Sequence, residues 1–188
     1  MISYGRERVA QHILFLRGIN LGARNRIAMP ELRDALTAAG FEDVRTYLQS
    51  GNVVLASGAS NVSGKVHAVI QEEFGLDIAV VTRTRAELAK IVERNPLADV
   101  AKDPKRYQVS FLDAKPSRDV VRRIEETADT KERVVVDGRE IYAWHPDTIA
   151  RSKLWALLAG QSLGVTATAR NWRTVQKLLE LADAPAPS

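Results

Sequence analysis

Two successive stretches of the chain carry the same order of elements, strand–helix–strand–strand–helix–strand. That order predicts an α+β fold of two ferredoxin-like βαββαβ units in tandem. Each unit is expected to be an antiparallel sheet with helices on one face, followed by a trailing helix. Short apolar runs alternate with helical spacing, and hairpin signals stand at Ser50-Gly51 and Asp137-Gly138. A two-proline stretch separates the halves. The expected boundaries are 1–95 for the first unit with its trailing helix, 96–106 for a linker, 107–183 for the second unit with its C-terminal helix, and 184–188 for a frayed tail.

In the first unit, residues 12–16 are a short apolar run ending near Gly18, expected as a central strand. Apolar residues at consecutive positions imply that both sheet faces are covered there, by the other unit or by a second copy of the chain. Pro30 suits a first helical position, and Leu32, Ala35, Leu36 and Ala39 share one face. Gly40 suits the left-handed position beyond that helix, with Phe41 folding back. Residues 44–48 and 52–56 read as strands joined by a tight turn. Residues 57–63 read as loop, and Val66, Val69, Ile70 and Phe74 then give helical spacing that Gly75 stops. Residues 78–82 read as a strand. Thr84 with Glu87 matches a capping box, opening a helix with Leu88, Ile91 and Val92 inward.

The second unit follows the same course. Residues 107–112 alternate like a half-buried strand, and Ser117 caps a helix carrying Val120, Val121 and Ile124. Residues 133–136 and 140–144 flank Asp137-Gly138 as a hairpin. Leu154, Trp155, Leu157 and Leu158 lie on a helix ending at Gly160. Residues 165–169 form a last strand, and Asn171 caps a helix with Val175, Leu178, Leu179 and Ala182 inward.

Composition narrows the function classes. With 188 residues, 45% hydrophobic and 27% charged, the chain can bury a core without staples. It contains no cysteine, which excludes disulfides, thiolate catalysis and cysteine-based zinc sites. A net charge of +4 and a pI near 9.5 are compatible with an anionic partner. Yet 27 basic residues are interleaved with 23 acidic ones, the pattern of a solvated surface rather than a nucleic-acid footprint. The third strand, Asn52-Val53-Val54-Leu55-Ala56, also lacks the aromatic platform on which RNA-recognition domains stack bases. No apolar run approaches the roughly 18 residues of a membrane helix. Residues 1–11 are polar and lack a signal-peptide core. A cytoplasmic protein without a membrane partner is expected. His12, His67 and His145 are scattered, and no carboxylate pair forms an acid–base couple. No catalytic residue, metal or cofactor is therefore assigned.

Three polar clusters flank strand ends, where a rigid scaffold usually presents its binding groups. In Arg17-Gly18-Ile19-Asn20 the glycine lets backbone N–H groups approach an anion, and Arg17 offers a bidentate fork. The cluster has neither the P-loop lysine nor the dinucleotide glycine spacing, and the plainer reading is a turn. Gln49-Ser50-Gly51-Asn52 is a hairpin turn on its own. Because the first strand lies beside the third in such a unit, these two clusters should share one edge. In the third, Asn171 is a helix cap and Trp172 packs at the helix start, or else Arg170 and Trp172 present a cation and a stacking surface. It joins the others only if the units dock head to tail. The candidate ligand-binding residues are Arg17, Gly18, Asn20, Gln49, Ser50, Asn52, Arg170, Asn171 and Trp172. The expected ligand is small and anionic or nucleotide-like. The alternatives are a nucleic-acid-binding module and a non-catalytic self-assembling protein.

Several of these segments recur as family motifs. They are Leu16-Arg17-Gly18-Ile19-Asn20-Leu21-Gly22, Met29 with Leu32-Arg33, and Thr46-Tyr47-Leu48-Gln49-Ser50-Gly51-Asn52-Val53-Val54. Phe74-Gly75, Asn95-Pro96, Ser152-Lys153-Leu154 and Thr168-Ala169-Arg170-Asn171-Trp172-Arg173-Thr174-Val175 continue the series. Together they resemble the DUF1697 family, bacterial proteins of unknown function. Ala23 and Arg173 depart from it, standing where glycine and asparagine are common. The resemblance implies two linked ferredoxin-like units and supplies no activity.

Overall fold

The structure is a computed structural model that describes residues 9–185. The polar N-terminal stretch up to residue 8 and residues 186–188 of the expected tail lie outside the described residues. The first unit runs β1 (Gln11–Leu16), α1 (Met29–Ala38), β2 (Glu42–Tyr47), β3 (Asn52–Ala56), α2 (Val62–Phe74), β4 (Val80–Thr84) and α3 (Arg85–Arg94). The second runs β5 (Tyr107–Leu112), α4 (Arg118–Thr127), β6 (Arg133–Asp137) and β7 (Glu140–Trp144), then a 3-10 turn (Ile149–Arg151), α5 (Lys153–Ala159), β8 (Ala167–Asn171) and α6 (Trp172–Asp183). Each unit is a four-stranded antiparallel sheet, ordered β2-β3-β1-β4 and β6-β7-β5-β8. The fold is the tandem ferredoxin-like α+β arrangement read from the element order.

Local chemistry sets most boundaries. Thr84 and Glu87 form the capping box of α3, while Ser117 and Asn171 cap α4 and α6 through the N–H groups of Val120 and Thr174. After α1, Gly40 takes φ 91°, and Phe41 N–H bonds back to Leu36 O at 3.2 Å. Several details differ from the sequence-based expectation, among them β2, which runs Glu42–Tyr47 rather than 44–48. Helix α2 starts at Val62, inside the expected loop, because Asn61 Oδ1 accepts the Gly64 N–H at 3.0 Å. Strands β4 and β8 start two residues late, since their ladders begin opposite the last residues of β1 and β5, at Leu16↔Val80 and Leu112↔Ala167. The β6–β7 turn is Gly138-Arg139, because Asp137 still pairs with Glu140. Finally, β5 is buried along its whole length rather than on one face.

That last difference follows from the layering. Alternate residues of each strand point to opposite faces. Leu14, Leu16, Val53 and Leu55 pack under α1 and α2, and Leu112, Ile141 and Ala143 pack under α4 and α5. The opposite faces meet each other in one central core. Ile13, Phe15, Val54 and Val81 of the first sheet join Tyr107, Val109, Phe111, Tyr142 and Trp144 of the second. Phe15 and Phe111 stack with centroids 4.0 Å apart. Helices α3 and α6 complete that core with Leu88, Ile91, Val175 and Leu178. The consecutive apolar run of β1 is thus covered on its second face by the other unit.

Candidate functional site

Two arginines cross between the units at equivalent strand positions. Arg83 lies opposite Ile13 in β1, and Arg170 lies opposite Val109 in β5. Each immediately precedes a helix cap, Thr84 or Asn171. Arg83 donates to Leu112 O at 2.8 Å, Arg139 O at 3.0 Å and Glu140 Oε1 at 2.7 Å. Arg170 makes the matching reach into the first unit. It donates to Leu16 O at 2.9 Å, Ser50 O at 2.9 Å, Gly51 O at 3.2 Å and Asn52 Oδ1 at 2.5 Å. Thr168 Oγ1 and Ala169 O take its remaining Nη1 protons at 2.8 Å. The symmetry extends to the rings, with Arg83 over Phe111 and Arg170 over Phe15.

The symmetry breaks at one position. Glu140 and Asn52 are equivalent, pairing respectively with Phe111 and Phe15. Arg83 therefore has a carboxylate partner, whereas Arg170 faces a neutral amide. Among the described residues Arg170 has no carboxylate partner, although it is only 8% exposed. Burial pulls its guanidinium down to about 10, and no neighbouring acid opposes the shift. Burial also lowers Arg83, but there Glu140 pulls the other way. Arg170 stays charged at neutral pH, with no carboxylate among the described residues paired to it.

The clusters at the first unit's edge meet as topology requires. Asn20 takes φ 54° and pins the loop, its Nδ2 donating to Gln49 O at 2.8 Å and Ile27 O at 3.0 Å. Leu16 N–H reaches Gly51 O at 2.8 Å. Asn52 is fully buried and donates to Tyr47 O and Ser50 Oγ, so its side chain faces the protein. The Gln49 side chain is exposed. Asn171 caps α6, and Trp172 is buried, stacked on Tyr107 with centroids 4.7 Å apart.

Head-to-tail docking then brings part of the third cluster to that edge. A cleft of about 550 Å³ opens between the units, lined by Arg17, Gly18 and Ser50 from the first and Thr168, Ala169 and Arg170 from the second. Of the nine candidate residues, Arg17, Gly18, Ser50 and Arg170 line it, and Asn20, Gln49, Asn52, Asn171 and Trp172 do not. Arg17 differs from Arg170 in having donors to spare. One Nη donates to Gly160 O at 3.0 Å, and its other guanidinium groups make no hydrogen bond among the described residues. A guanidinium carries five N–H donors, so a fork is left for a ligand.

The cleft also uses residues that the sequence reading left aside. Trp155 and Leu158 of α5 line one wall, with Asp77 and Gln161 among its other polar groups. Their helical spacing marked the first two as core, and only docking turns the half-buried Trp155 toward a cleft. Behind Trp155 lies a buried polar group. Glu132 Oε1 accepts the Ser152 hydroxyl at 2.5 Å and faces His145 Nδ1 at 2.7 Å. No nearby sequence motif supplies His145 with a carboxylate; its partner Glu132 lies one step beyond the Arg133↔Trp144 pair of the β6–β7 ladder. Among the described residues no cluster of three or more His, Asp or Glu side chains could hold a metal ion. No helix among them is long and apolar enough to cross a membrane.

Comparison with known proteins bears on both fold and family. A family model described as "Protein of unknown function (DUF1697)" matches residues 9–142. No curated protein matches the chain. The solved structure of the conserved bacterial protein SP0830 from Streptococcus pneumoniae is similar, with a TM-score of 0.77 at 23% identity, over 93% of this chain and 99% of that one. At that identity the likeness concerns the fold alone.

Proposed function

This chain belongs to the DUF1697 family, whose description assigns no activity, and we propose that it binds a small anionic ligand in the cleft between its two units. Arg170 carries this reading. A buried cation without a counter-charge is destabilising, and an anion in the cleft it lines would offset that cost. Arg17 stands at the same cleft with an open fork and supplies the direct hydrogen bonds. Gly18 and Ser50 complete the near wall. Asn20, Gln49, Asn52, Asn171 and Trp172 hold the loop, hairpin and helix that carry those groups. Among the described residues the cleft lining includes no histidine and no lysine, and Asp77 is its single carboxylate, so binding is better supported than catalysis by an acid–base pair.

The competing readings lose their motives. An RNA-recognition type of binding needs an open sheet face, and here that face of each sheet is buried against the other. The apolar run that suggested self-assembly is covered within the chain. A cysteine-free sequence fits a reducing compartment, and a cytoplasmic location is part of this proposal.

A thermal-shift screen over phosphates, sugar phosphates and carboxylates tests the reading. The expected result is a stabilising anion whose effect is lost in Arg17→Ala and weakened at least tenfold in Asn52→Asp. The second substitution gives Arg170 the counter-charge that Glu140 gives Arg83. An anion that stabilises all three proteins equally would overturn the proposal, as would a screen without any stabilising anion.

A further inference from the structure

We infer that the anion is a mononucleotide, its base stacked on Trp155 and its phosphate held at Arg17. The inference rests on the anionic reading above and adds the ligand's body to it. Of the three tryptophans, Trp144 and Trp172 are buried, and Trp155 is half-buried at the cleft. Its placement is fixed from two sides. The Trp155 backbone N–H donates to Ser152 Oγ at 2.9 Å, which caps α5 and sets where the residue stands, and that hydroxyl in turn donates to Glu132 Oε1. His145, held by the same carboxylate oxygen, meets the indole edge to face with centroids 6.2 Å apart at 82°. An indole fixed in this way offers a preorganised stacking surface, which lowers the ordering cost of binding a flat ring.

The other walls fit the same class. Leu158, Ala159, Ala167 and Ala169 are apolar and mostly small, leaving room for a planar body beside the indole. Leu21, 72% exposed, stands at the opposite lip. Asn25, Asp77 and Gln161 supply acceptors and donors for ribose hydroxyls and base edges. Asp77 also disfavours a long polyanion, so two cations against one acid suit a single phosphate. The volume of about 550 Å³ lies in the range for one small ligand, roughly 300–1,000 Å³.

Isothermal titration and tryptophan fluorescence with adenosine 5′-monophosphate, ribose 5-phosphate and a short 5′-phosphorylated oligonucleotide test this. The nucleotide is expected to quench fluorescence and to bind at least fivefold tighter than ribose 5-phosphate, as base–aromatic stacking implies. Trp155→Ala should bring that ratio towards one. Trp155→Phe, which keeps a ring and guards against misfolding of the alanine variant, should keep the ratio and lose the quench. Equal affinity of nucleotide and ribose 5-phosphate in the wild type would overturn the nucleotide and leave the anionic reading standing. An oligonucleotide that binds tighter than the mononucleotide would overturn it too. If none of these phosphates binds, the nucleotide falls, while the anionic reading falls only if the wider anion screen also finds nothing.

Discussion

At the scale of single residues, the two cleft arginines do different work, and stability separates them. Replacing Arg170 by methionine leaves Leu16 O, Ser50 O and Asn52 Oδ1 without their arginine donor, while Gly51 O keeps the Leu16 N–H. Each buried acceptor left unmade costs about 1–3 kcal/mol, which removal of an unpaired buried charge only partly offsets. Arg170→Met should therefore lose about 2–4 kcal/mol in urea unfolding, while Arg17→Ala stays within about 0.5 kcal/mol of the wild type. Equal losses would contradict that division. The buried phenols make a second residue-scale prediction. Burial pushes Tyr107 up to about 12 and also raises Tyr142. A phenol that ionises later when folded contributes stability in full below its unfolded value of about 10 and loses it as pH rises towards 12, about 3 kcal/mol for Tyr107. Arg170 and Arg83 act in reverse, because their lowered values make the folded chain release those protons earlier. The phenol contribution is isolated by substitution: between pH 10 and 12 the stability of Tyr107→Phe should fall less, or rise more, than that of the wild type. An unchanged slope in that variant would refute the assignment.

Among the elements, the β2–β3 hairpin carries the most constraint. Gly51 has φ 79°, and a Cβ there would lie 2.7 Å from Ile19 Cδ1 and 2.8 Å from Leu16 Cβ. Left-handed strain and overpacking each cost about 1–3 kcal/mol, so Gly51→Ala should destabilise by about 2–4 kcal/mol. Because Gly51 O and Ser50 O also receive Arg170, ligand-induced stabilisation should weaken in the same variant. A Gly51→Ala protein with wild-type melting would show that the loop relaxes freely. Signals as local as this turn were legible in the chain, as were the caps at Thr84, Ser117 and Asn171, because their chemistry lies within four residues. The starts of β4 and β8 were not, since a ladder begins where its partner strand ends. Topology alone brought Asn20 to Gln49, but the cleft depended on docking. Asn52 stands out in the sequence as a polar residue of the hairpin cluster and Glu140 does not, but that each faces an arginine of the other unit is visible only once the units dock. Glu132 and His145 differ, since they stand one step beyond the Arg133↔Trp144 pair of the β6–β7 hairpin, and only the ladder's register brings the two together.

For the molecule as a whole, the central core decides how it unfolds. Neither sheet has a helix layer on its inner face large enough to stand alone. Ile13, Phe15, Val54 and Val81 are buried by residues of the second unit, and Tyr107, Val109 and Phe111 by residues of the first. Arg83 and Arg170 fasten the two edges in opposite directions. Separation would expose these apolar side chains together as one contiguous patch, which stable monomeric units rarely carry. The chain should therefore melt in one transition, with calorimetric and van't Hoff enthalpies equal. Phe111→Ala is the sharper test, because Phe111 belongs to the second unit yet stacks on Phe15 of the first. Truncating a buried phenylalanine costs about 3–5 kcal/mol. If the core is shared, amide exchange in β1 and β3 should accelerate along with that in β5 and β7. Acceleration confined to the second unit would mean that the halves are independent domains, and the cleft between them would then open without unfolding either.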